Sequence, residues 1–498
     1  MVDLIIYGGT VVTIDKDRRV INDGGVVIDK GLIVFIGTSK AAKDTFSAER
    51  TINAEGKVIM PGLIDVHAHA GHGLVKTMAM NSDWERNCGT IYTSGSTPEF
   101  WYAEARLAAL ERLRFGVTCG VSLLGGGDTI MRTDDPIYAN AHCRGVAEVG
   151  TRSVVAIGPT RAPHPLKYSR WDGNKSTEYD VDFKKQIATC EKILSRWNRS
   201  IDERIMIAMI YPVLRNEHKE NMSSVDFEEA VSQVKFVREL SKEANVIFTQ
   251  DGHTGGSIKR ADDLGLLGPD VLLSHATNLS KEEIEICAKT NTRIAHNPSA
   301  VASIYGYCPV IDLIDAGVVV GLGSDATAPD RSGDMFRHIQ QLMHYHRTHY
   351  RDASYMPPGK ALEMATIDGA IALGLDHKIG SLEIGKCGDI ILIDMQSAHL
   401  HPVNMEPYRL ACFANGNDVD TVIVGGEVMM ENKLPTRVSK EEILSQAQNE
   451  TNKMINRMNA KPFLELPDGF WGKTRYLSLI HISEPTRLLS ISYAVFCL

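Results

Sequence analysis

Two histidines, His67 and His69, flank one alanine at the end of the apolar run in VIMPGLIDVHAHAG. Side chains at i and i+2 of a strand point to the same side, so both imidazoles can reach a single ion. Imidazole suits Zn, Fe, Co or Ni. A bare His-x-His pair is common by chance, but the Pro-Gly and the apolar run before this one favour a metal role over a packed or solvated pair. Asp325 follows another apolar run, in VVVGLGSDA. An acid there is costly to bury unless it is paired or holds a cation. Its bland alternative is a helix N-cap. With the two histidines it completes a His/His/Asp set, and we read it as both metal ligand and catalytic base, taking the proton of an attacking water.

Other strand ends carry the remaining chemistry. His275, in DVLLSHATNLSKEEIE, is expected to be catalytic, orienting the water or polarising the scissile group. The run VIFTQDGHTGG offers Gln250, Asp251 and His253 close together. His253 is the expected third nitrogen on the metal, since an amide oxygen is a weak donor, and Asp251 is the expected catalytic proton shuttle. Gln250, His296 in RIAHNPSAV, Arg161 in TRAPHPLKY and Trp84 are expected to line the substrate, although an arginine of this kind is more often simply solvated and a tryptophan packs loops. The stretch HIQQLMHYHRTHY holds four histidines at helical spacing and reads as a solvated or lid-lining helix.

Such residues need a scaffold that gathers strand ends. Residues 1–60 form short β-like runs between Gly and Asp turn signals, and residues 381–435 read the same way. Between them, over 61–380, short apolar runs alternate with helix-like stretches such as DFEEAVSQVKFVRELSKE. That alternation argues for a parallel sheet, and about eight such strands close into a barrel. The expected fold is therefore α/β: a (β/α)8 TIM-like barrel, with a small β-sandwich domain made from both chain ends. The polar residues named above then fall on the C-terminal face, where barrel active sites lie. Residues 436–476 read as a terminal helix. The stretch 477–498, apolar and Ser-rich, reads as a non-native tail.

The formal charge of −9 is spread along the 498 residues without a basic block, which argues against nucleic acid or an anionic membrane as partner. No run is apolar enough to span a bilayer, and nine scattered cysteines without a CxxC pair suit a reduced, cytoplasmic protein.

The runs PGLIDVHAH, LLSHATNLSKEE, AHNPSAV and GLGSDA resemble the amidohydrolase superfamily, as does the closing segment IGSLEIGKCGDIILID. The likeness spans roughly residues 1–435 and is strongest to the cytosine deaminase and triazine chlorohydrolase branch. It implies one divalent metal ion, zinc first and iron second, and attack on an amidine-like carbon that expels ammonia, an amine or chloride. His67 and His69 match the first-strand ligands, Asp325 the last-strand ligand and base, and His275 the histidine beside the leaving group. The fifth strand departs from the pattern: Gln250 and His253 stand where the branch carries a histidine and, three residues later, a proton-shuttling glutamate. That departure shifts weight from ring deamination toward amides, ureas, carbamate-like bonds and dehalogenation. RIMIAMIYP lacks the lysine of two-metal relatives. The resemblance thus implies a metal-dependent amidohydrolase acting on a small C–N or C–Cl substrate such as an aminoheterocycle, amide, urea or chlorotriazine, and a homo-oligomer. A catalytically silent scaffold on the same fold is the alternative.

Overall fold

In the computed structural model, residues 1–80, 84–125, 132–300, 306–328 and 330–472 are described. The 477–498 stretch lies outside them. Eight strands follow one another as Leu63–Asp65, Val117–Leu123, Arg152–Ile157, Ile205–Ile210, Phe248–Gln250, Val271–Ser274, Arg293–His296 and Val320–Leu322. Each pairs in parallel with the next. The Val66 amide donates to the Leu322 carbonyl at 3.1 Å, and Ala68 bridges Asp325, so the last strand meets the first. This is a (β/α)8 barrel.

Parallel strands covered on both faces read as near-continuous apolar runs, and their side chains divide between two clusters here. Ile64, Cys119, Val121, Val154, Ala156, Ala208, Leu272 and Ala295 share one cluster that also takes in Ala370, Ala372 and Leu373; it fills the barrel. Val117, Val155, Ile157, Ile207, Met209 and Ile294 belong to the cluster under the helices. Small alanines recur in the inner set because the bore is narrow. Local signals set the helix ends. Pro98–Arg114 starts on the Thr97 side chain and is followed by Gly116 at φ 77°. Lys281–Thr290 opens with a Ser280/Glu283 capping box.

The two chain ends make a separate nine-stranded sheet. In it Lys57–Pro61 lies between Val2–Val12 and Ile390–Asp394, which continues to Val419–Val424 and Glu427–Glu431. Leu4, Ile28, Ile59, Ile390 and Ile423 share one apolar cluster across both halves. Arg152, at the start of the third barrel strand, forks onto Asp389 at 2.8 and 3.0 Å, fastening barrel to sheet. Helix Lys440–Met458 packs back on the barrel, where Arg106 reaches Glu442 at 2.9 Å and Gln446 at 2.7 Å.

One element goes beyond the repeating pattern. After the third strand, Leu166–Asp172 and Lys175–Val181 form an antiparallel hairpin. Its two-residue loop is Gly173-Asn174, between the paired Asp172 and Lys175, with Gly173 at φ 57°. Trp171 donates from Nε1 to the Ser94 carbonyl at 2.6 Å, and fully buried Arg132 bonds the carbonyls of Thr93 and Ser169, both at 3.0 Å.

Candidate active site

The first and eighth strands are locked together where the chemistry begins. Asp65 accepts the Ser324 amide at 2.9 Å and its hydroxyl at 2.6 Å, and the Asp325 amide donates to the His67 carbonyl at 2.8 Å. His275 and Asp325 both adopt left-handed backbone, φ 72° and 63°. Non-glycine residues pay for that conformation, and it persists only where the surroundings dictate it. Here the His275 amide bond to Ala295, 2.9 Å, and the Asp325 bond just described hold it.

Three imidazoles and two carboxylates converge. Asp325 Oδ1 lies 3.1 Å from His69 Nε2 and 3.6 Å from His67 Nε2. Asp251 lies 3.3 Å from His67 Nε2, 3.2 Å from His69 Nε2 and 2.9 Å from His275 Nε2. Two donor sets lie close enough to grip one ion: His67, His275 and Asp325, and His67, His69 and Asp251. Burial disfavours the ionised carboxyls, but the facing imidazoles outweigh it and hold Asp251 and Asp325 well below the usual carboxylate range. Burial likewise opposes protonation of His67 and His69, yet the two carboxylates lift them to about 9 and about 10. Two such anions, Asp325 buried and Asp251 partly buried, call for positive charge beside them. His67 Nε2 is buried with no hydrogen-bond partner among the described residues. Donor chemistry and burial together fit a divalent cation.

The other expected residues are arranged as follows. His253 is buried; its Nδ1 meets Ser257 Oγ at 2.9 Å, and Nε2 lacks a hydrogen-bond partner among the described residues. It is in neither donor set, so the geometry brings Asp251, not His253, against the paired imidazoles. Gln250 turns away, donating from Nε2 to the carbonyls of Tyr211 and Pro212 at 3.3 Å. His296 is buried with its ring 5.6 Å from that of His346. Arg161 donates to the Val213 carbonyl at 3.2 Å. The Trp84 ring stands edge-on to His72 at 5.2 Å. In the four-histidine helix, Met335–Tyr350, His338 and His346 are buried while His344 and His349 are exposed.

Sequence reasoning passed over two neighbours. His72 stacks on His69, 5.0 Å apart and 14° from parallel, and burial pushes its ring well below the usual range. Asn297 Nδ2 lies 3.2 Å from His275 Nδ1. The signals were present in HAHAGH and HNP, but His72 opens a short 3-10 helix and Asn297 follows the end of its strand, where strand alternation does not apply.

A model of the amidohydrolase family matches residues 58–429. The chain is 30% identical over 467 residues to a 5'-deoxyadenosine deaminase of Methanococcoides burtonii, an alignment covering 93% of this chain and 100% of that protein. It is 26% identical to a 5-methylthioadenosine/S-adenosylhomocysteine deaminase of Desulforamulus reducens, covering 89% and 96%. Among solved structures, an adenosine deaminase from Xanthomonas campestris with bound zinc superposes with a TM-score of 0.77 at 21% identity, covering 91% of this chain and 99% of that one.

Proposed function

Because the chain belongs to the amidohydrolase family, and is a hydrolase acting on carbon–nitrogen bonds other than peptide bonds, we propose that it removes the ring amino group of an adenine nucleoside as ammonia. The observation that carries this reading is the meeting of His67, His69, His275, Asp251 and Asp325 at the strand ends. The relatives, deaminases along their full length, supply the substrate class. They weigh against the shift toward amides, ureas and chlorotriazines that the fifth strand suggested. No observation favours a silent scaffold.

His67, His69, Asp251 and Asp325 would hold the ion. When bound, a divalent cation lowers the pKa of a water molecule toward neutrality. Asp325 accepts the proton of the attacking water. His275, turned by Asn297 and 2.9 Å from Asp251, steadies negative charge as the ring carbon becomes tetrahedral. A bond from water oxygen to ring carbon forms, the bond to the amino nitrogen breaks, and water's protons end on ammonia and on the oxo product. His253, standing where the branch carries glutamate, is the nearest replacement for the proton shuttle. Its Nδ1 is anchored by Ser257, which leaves Nε2 to exchange a proton.

Ammonia release from 5'-deoxyadenosine, methylthioadenosine and S-adenosylhomocysteine, set beside a urea, an amide and a chlorotriazine, tests the proposal. Turnover confined to the adenine nucleosides is expected. Turnover of the others alone would overturn it.

A further inference from the structure

At the opposite end of the barrel, where the strands begin, lies a cavity of about 490 Å3. Sites for small organic ligands typically span roughly 300–1,000 Å3. Val154, Ile247 and Leu373 give it an aliphatic floor. Its rim is charged, and most of those charges are already matched. Arg152 is forked onto Asp389, Lys378 is paired with Glu203, and Asp270 takes two bonds of 2.7 Å from Arg238. Arg199 and Arg293 are different. Among the described residues neither has a carboxylate within ion-pairing distance. Arg293, half-buried, donates from Nη1 to the Ala372 carbonyl at 3.3 Å. Two guanidiniums thus line one cavity without a direct ion pair; Asp270 and Asp376 act on Arg293 only from beyond that distance.

The backbone supplies a second observation. Arg199, Ile201, Asp202 and Glu203 are all left-handed, with φ between 52° and 57°, and Asn245 across the rim is at φ 50°. This region is unfavourable for non-glycine residues, and a β-branched residue such as Ile201 is rarest there. Strain of this kind gathers at ligand clamps. Here four such residues fall within the five-residue segment that carries Arg199 to the cavity.

We propose that this cavity is a second ligand site, for a small organic anion. Its phosphate or carboxylate headgroup would meet Arg199 and Arg293, whose planar donor forks match both groups. Its apolar body would rest on the aliphatic floor. The site is separate from the metal cluster and does not depend on the deaminase reading.

Calorimetric titration of the metal-loaded full-length protein with adenosine 5'-monophosphate, benzoate and inorganic phosphate tests it, the first two distinguishing a phosphate from a carboxylate headgroup. We expect one of the organic anions to bind once per chain, more tightly than inorganic phosphate. That binding should weaken roughly tenfold in Arg199→Ala and in Arg293→Gln, and survive in His67→Ala. Arg199 is exposed, so its replacement leaves the fold intact. Three results would each overturn the proposal: no saturable binding of any of the three at millimolar concentration, binding unchanged in both arginine variants, or binding abolished by His67→Ala, which would place the anion at the metal cluster.

Discussion

Removing the carboxylate of Asp325 takes away a proton acceptor and an anionic donor at once. Asp325→Ala should lower turnover by at least the ~10²–10⁴-fold typical of a lost general base, with an unchanged circular dichroism spectrum; retained activity would rule out the assignment. The fifth strand gives a sharper contrast. Asp251→Asn should strip the metal, read by elemental analysis, because Asp251 touches three imidazoles. His253→Ala should keep the metal and lose rate, and the reverse pattern would restore His253 as ligand. His67, His69 and Asp325 were legible in the sequence because each follows an apolar run without a rival candidate beside it, although all three lie just past strands that end at Asp65 and Leu322. Asp251 and His253 could not be ranked that way. Their strand, Phe248–Gln250, has already ended, and Gly252 at φ 92° turns the chain, so neighbour parity carries no information there.

Among the elements, the joint between barrel and terminal sheet rests on a buried ion pair. Asp389 also accepts the Gly425 amide at 2.8 Å. Asp389→Ala leaves the Arg152 guanidinium buried and uncompensated, at an expected cost of about 3–5 kcal/mol, measurable as a lower urea midpoint; an unchanged midpoint would mean that water replaces the carboxylate. The barrel itself was readable from the strand and helix alternation. Arg152–Asp389 was not, because its partners lie far apart in the chain and neither belongs to a local pattern. The hairpin at Leu166–Val181, with Gly173-Asn174 at its turn, was not anticipated, because it interrupts the regular repeat that made the other strands easy to find.

For the whole molecule, buried neutral histidines set the response to acid. Burial pushes His142 down to about 3, helped by Arg112, and His346 down to about 4, helped by His349. Unfolded, both titrate near about 6.5. Above that pH neither state is charged and they contribute nothing. Below it the unfolded chain gains protons that the folded one refuses, so stability falls down to pH 3–4. Asp270 acts in the same sense: burial raises it, but Arg238 holds it below the usual range, so its stabilisation is lost as pH drops through that value. The urea midpoint should therefore be lower at pH 5 than at pH 7.5, and a flat profile would contradict this account. Chelating the metal should lower the melting temperature, and adding the ion back should restore it, since an ion bound only by the folded state stabilises it.

The terminal sheet has a consequence for how the molecule is made. Lys57–Pro61 leaves the ribosome before the barrel, while Ile390–Asp394, which covers its open edge, is translated only after it. The strands of the first sixty or so residues must wait, with an unpaired apolar edge, through synthesis of the entire barrel, and such edges pair readily with other chains. Biosynthesis thus leaves this edge open until the first strand after the barrel emerges and closes it.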